Sequence, residues 1–119
     1  MVSTQRRLLP WPGPGGQPAY LLSDGGADSH LWRLADKVEA VQLRTGDELV
    51  GYARAMVDDR KVGARELRFV VRRLTEALID TRRIADSRAM RLAELDDADP
   101  SDRHSLRDSE HATTEEDLL

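Results

Sequence analysis

Residues 64–95 read ARELRFVVRRLTEALIDTRRIADSRAMRLAEL, and their periodicity decides the fold. Ala64, Leu67, Val71, Leu74, Leu78, Thr81, Ala85, Arg88, Leu92 and Leu95 recur at alternating spacings of three and four. That is a nearly strict heptad, which places one stripe along a helix or coiled coil. A further row, Val70, Ala77 and Ile84, widens the stripe. A stripe of that width suits a helix with more than one neighbour.

Working towards the amino terminus, Gly63 is a permissible N-cap with Glu66 three residues on. Asp58-Asp59-Arg60-Lys61-Val62 then forms a connector short enough to force antiparallel neighbours. Before it, Leu31, Leu34, Ala35, Val38, Val41, Leu49, Ala53 and Met56 keep helical spacing over 28–57. Gly46 interrupts that segment, and Thr45-Gly46-Asp47-Glu48 matches a capping box that could start a new helix. Because the apolar spacing continues across Gly46, a continuous helix is expected. A turn near residue 60 pairs residues whose numbers sum to about 120. It sets Leu49 by Val71, Ala53 by Leu67, Gln42 by Leu78, Ala35 by Ala85 and Trp32 by Arg88.

The first 27 residues differ in kind. Two short apolar runs, Arg7-Leu8-Leu9-Pro10-Trp11 and Pro18-Ala19-Tyr20-Leu21-Leu22, flank Pro12-Gly13-Pro14-Gly15-Gly16. They predict an irregular β-hairpin, and Pro10 and Pro18, which lack ladder donors, keep both runs off any central strand position. Such a ribbon is marginal alone and is expected to fold onto the helices through Leu8, Trp11, Tyr20 and Leu22. Residues 96–119 are acidic, polar and aperiodic, the composition of a disordered tail. The expected class is therefore mainly α: a long antiparallel two-helix hairpin (28–57 and 64–95), a short N-terminal β-hairpin (1–27) and an acidic tail (96–119).

Composition narrows the function. In 119 residues there are 18 basic and 22 acidic side chains and no cysteine, so disulfides, Cys-ligated metals and thiol nucleophiles are excluded. No apolar run approaches the roughly 20 residues that span a bilayer. Met1–Leu9 lacks the apolar core of an export signal, so a cytoplasmic location is expected. His30, His104 and His111 have no ligand partner at helical spacing, which argues against a metal. Gly13-Pro14-Gly15-Gly16 lacks the Lys-Ser/Thr of a phosphate loop. With no base beside any nucleophile, neither an enzyme nor a cofactor is expected.

Charge is uneven along the chain: residues 60–95 hold ten basic and five acidic side chains, and 96–119 hold two and nine. Lys61, Arg65, Arg68 and Arg72 gather on one side of the second helix near its start, where the helix dipole favours anions instead. Arg65 and Arg68 have no acidic residue three or four positions away. Phe69 lies among them, and Ile79 and Met90 also fall on the polar side. Lys61, Arg65, Arg68, Phe69 and Arg72 are the expected partner contacts. The expected function is a small accessory or regulatory interaction protein that binds a protein partner or itself as a homodimeric four-helix bundle. The alternative is a nucleic-acid-binding regulator using the same basic face, against which stands the lack of a short helix-turn-helix pair. A ligand pocket, if present, is expected near Trp11, Tyr20, Trp32 and Arg88.

Overall fold

The computed structural model describes residues 5–23 and 30–98. Strand β1 (Gln5–Pro12) pairs antiparallel with β2 (Pro18–Ser23), and two long helices follow, α1 (His30–Val57) and α2 (Ala64–Ala98). The mainly α class and the amino-terminal hairpin agree with the periodicity. Residues 1–4, 24–29 and 99–119 lie outside the described residues, and with them the start expected at 28 and nearly all of the acidic tail. Helix α2 runs three residues past the expected end, through Ala98.

The ribbon turns through a short 3-10 segment, Pro14–Gly16. Gly15 and Gly16 sit at φ 81° and 87°, a region that side chains with a Cβ rarely adopt. Register runs from Gln5↔Ser23 to Leu8↔Tyr20 and shifts before Pro12↔Pro18. That irregularity absorbs Pro10, which has no N–H to give a partner strand.

Helix α1 is continuous across Gly46, as the spacing predicts. The connector is tight. Asp59 N–H donates to the Met56 carbonyl (3.1 Å), Val62 N–H to the Asp59 carbonyl (3.4 Å) and Lys61 N–H to Asp59 Oδ1 (2.9 Å). Gly63 does cap α2, its carbonyl accepting from Leu67 N–H (3.1 Å). The turn is centred nearer residue 61, so Leu49 with Arg73, Thr45 with Ala77 and Gln42 with Asp80 line one cleft between the helices. Facing residues thus sum to about 122. The consequence is a correction: Arg91, not Arg88, lies over Trp32, its guanidinium carbon 5.6 Å from the ring centroid. Arg88 points towards Glu39 at 3.9 Å.

The larger correction concerns which stripe of α2 is inside. Val70 and Ile84 are buried, with Ala77 half-buried between them, while Leu67, Val71, Leu78, Leu92 and Leu95 are 44–70% exposed. The narrow extra row faces the interior, and the heptad row lies outside except for half-buried Leu74. Periodicity counts apolar residues only, whereas the buried sector of α2 also carries Arg73, Asp80, Ser87 and Arg91, all buried or half-buried. Ala77 and Ser87 are small and let α1 and β1 approach.

Strand β1 lies against both helices, and four successive residues, Arg7, Leu8, Leu9 and Pro10, are buried. Ser87 Oγ of α2 donates to the Leu8 carbonyl (2.9 Å), and Gln42 Nε2 of α1 donates to the Pro10 carbonyl (2.8 Å). These bonds satisfy carbonyls on a two-stranded ribbon that would otherwise be buried without partners. Of the expected ribbon anchors, Leu8 is buried and Trp11 half-buried, but Tyr20 and Leu22 are 45% and 67% exposed. They belong to β2, the strand away from the helices.

Candidate functional site

Helix α2 presents two sets of side chains to solvent. The first is at its start, where Lys61, Arg65, Arg68, Phe69 and Arg72 are all exposed, Phe69 at 62%. At 100° per residue, Arg65, Arg68, Phe69 and Arg72 fall within about 100° of arc on the side of α2 away from Val70. Lys61 is fixed in the turn through its backbone bond to Asp59. Among the described residues none of these four cations has an ion pair, whereas Arg73 reaches Glu76 Oε2 at 2.6 Å and Arg83 reaches Asp80 Oδ1 at 3.5 Å. Backbone positioning therefore places four of the five expected contacts on one side of α2, with Lys61 in the turn that precedes them. Of the other apolar residues on the polar side, Ile79 is 52% exposed and Met90 is half-buried.

The second set is the heptad row itself. Leu67, Val71, Leu78, Leu92 and Leu95 lie outside with Ala85 between them, and on α1 Leu34 and Val41 are 42% and 49% exposed. The ribbon does not cover this surface, because β1 packs where Ser87 and Ile84 lie. Scattered exposed apolar residues are ordinary, whereas these recur along one side of the helix, interrupted by half-buried Leu74 and by the polar Thr81 and Arg88.

No pocket forms among Trp11, Tyr20, Trp32 and Arg88 in the described residues: Tyr20 is exposed beside Arg6, and Trp32 is met by Arg7, a residue that sequence reasoning missed. Arg7 is fully buried. Its Nη1 donates to the Trp32 carbonyl (3.0 Å), and its Nη2 lies 2.8 Å from Asp36 Oδ1 and 3.1 Å from Glu39 Oε2. The two carboxylate contacts are charge contacts off the hydrogen-bond axis. The Arg7 guanidinium carbon also sits 4.7 Å from the Trp32 ring centroid. Burial first, and then the neighbouring Arg7 charge, lower Arg91 from its ordinary value. Three guanidiniums and two carboxylates thus fill the junction of ribbon and helices with structural contacts. The available hint was strand alternation, which puts Arg7 on the same side of β1 as Leu9.

A second cleft, about 200 Å3, opens between the ribbon and α2 and is lined in part by Leu8, Pro18, Ile79, Arg82 and Asp86. It is smaller than the roughly 300–1,000 Å3 of ordinary ligand pockets. Among the described residues no group of three or more metal-ligating side chains comes together, and no helix is long and apolar enough to cross a membrane. Comparison with protein-family models, with curated proteins and with solved structures finds no match.

Proposed function

We propose that the protein is a small, non-enzymatic, cytoplasmic interaction module that acts as a homodimer and docks an acidic protein surface. Lys61, Arg65, Arg68, Phe69 and Arg72 are its contacts. One observation carries the reading: α2 keeps both its heptad row and its unpaired cations on the outside. An exposed aromatic beside guanidiniums offers a desolvated anchor next to charges that seek carboxylates, the residue types that dominate binding energy at protein interfaces. The row of leucines beyond them supplies the apolar area on which a second copy packs.

The basic face also favours a second reading, binding of nucleic acid. A titration of the full chain with a labelled acidic peptide, and separately with a labelled DNA duplex, separates the two. The proposal expects peptide binding that the Arg65→Ala, Phe69→Ala, Arg72→Ala triple variant weakens at least tenfold. Tight duplex binding that falls with a slope of about −0.9 per phosphate in a log–log salt plot would replace it with the nucleic-acid reading. Binding of neither would remove the contact role from these five residues.

A further inference from the structure

Resting on the homodimer reading above, we infer that two copies pack through their exposed heptad rows with α2 antiparallel to α2, so that the basic turn of each copy lies at the axial level of the acidic end of the other copy's α2. The row is complementary to its own reverse. Pairing residues whose numbers sum to 159 sets Ala64 against Leu95, Leu67 against Leu92, Val71 against Arg88, Leu74 against Ala85 and Leu78 against Thr81. Four of the five layers pair uncharged side chains, and the fifth sets Val71 at the level of Arg88, whose guanidinium reaches Glu39 of its own copy. In three of the five layers a leucine faces alanine or threonine, the alternation of large and small that lets helices close without voids. Heptad spacing of three and four, read backwards, is still a heptad, so the geometry of an antiparallel pair is preserved.

Charge selects the same arrangement. Two flat hairpins packed face to face can place their turns at the same end or at opposite ends. Residues 60–73 carry Arg60, Lys61, Arg65, Arg68, Arg72 and Arg73 against Glu66 alone, whereas 94–98 carry Glu94, Asp96 and Asp97 with no cation. Turns at the same end would bring two basic segments together. Turns at opposite ends bring each basic segment to an acidic one, with Glu94 at the level of Arg65 and Asp97 at the level of Val62. The sequence past the described end continues in the same sense, with seven acidic and two basic residues in 99–119.

Area agrees with a second copy as the occupant. Five large side chains exposed by about half to two-thirds offer on the order of 500 Å2 per copy, and Leu34 and Val41 of α1 extend it towards the roughly 800 Å2 that a stable dimer buries from each partner.

The chain has no cysteine, so introduced thiols report on proximity directly. The full chain carrying Ala64→Cys, tagged to differ in size, is mixed with the full chain carrying Leu95→Cys and oxidised; Leu74→Cys mixed with Ala85→Cys repeats the test away from helix ends that fray. The mass of the untreated protein is measured alongside by light scattering. Dimer mass with mixed disulfides at either pair, and none in either variant alone, is the expected result. Dimer mass with no mixed disulfide at either pair overturns the antiparallel arrangement and leaves the homodimer standing. Monomer mass at every concentration overturns both.

Discussion

Arg7 is the residue on which the junction turns. It has no solvent exposure, and its compensation comes from Glu39, nearly as buried, and from Asp36, 57% exposed. Removing one partner of a buried pair leaves an uncompensated charge, so Arg7→Ala and Glu39→Ala are each expected to lower unfolding free energy by about 3–5 kcal/mol in urea denaturation. The double change Arg7→Met, Glu39→Leu recovers most of that loss, since apolar residues of similar size remove both desolvation costs. Ser87→Ala strands the Leu8 carbonyl and costs about 1–3 kcal/mol by the same assay. Beyond the alternation that puts Arg7 on the side of Leu9, none of this was legible beforehand, because an arginine next to two leucines reads as a strand end at the surface. Burial of a charge depends on what meets it from elsewhere in the chain. Here the partners lie about 30 residues away on α1.

At the scale of the element, the end of α1 at Val57, the start of α2 at Ala64, the continuity of α1 through Gly46, the Gly63 cap and the ribbon were legible, since each follows from local spacing and backbone chemistry. The side of α2 that faces inwards was not. Two apolar rows compete on that helix, and the richer one lost, because small and polar residues in the other, Ala77 and Ser87 above all, admit α1 and β1. The two rows therefore answer differently to mutation. Ile84→Ala, buried to 3% exposure, is expected to cost about 2–5 kcal/mol in thermal or chemical unfolding. Leu78→Glu, at 70% exposure, is expected to leave the circular dichroism spectrum unchanged at low concentration while abolishing self-association. Equal destabilisation by the two would contradict the assignment of inner and outer rows. Gly46 has open space where a Cβ would go, so Gly46→Ala is expected to raise unfolding free energy by about 0.5–1 kcal/mol through helix propensity.

Over the whole molecule, the common exposed side of Arg65, Arg68, Phe69 and Arg72 was legible. Their spacing and lack of helical ion-pair partners are properties of one helix, and burial did not intervene. The expected ligand pocket was not, since Tyr20 stays exposed on β2 and the Arg7 guanidinium packs on Trp32. What remains outside is a hairpin with an apolar row flanked by cations at one end and carboxylates at the other. That arrangement makes self-association sensitive to conditions in a definite way: added salt weakens the charge contribution but not the apolar one. The central claim is that the outer row of α2 is covered by a second copy. Sedimentation equilibrium of the full wild-type chain from about 1 to 200 μM tests it most directly, on the scale of ordinary reversible dimers. The account predicts a single reversible monomer–dimer equilibrium with the dimer dominant at the upper concentrations, and a curve for Leu78→Glu that stays at monomer mass. A wild-type chain that remains monomeric to 200 μM, or a Leu78→Glu chain that dimerises as well as wild type, would contradict it.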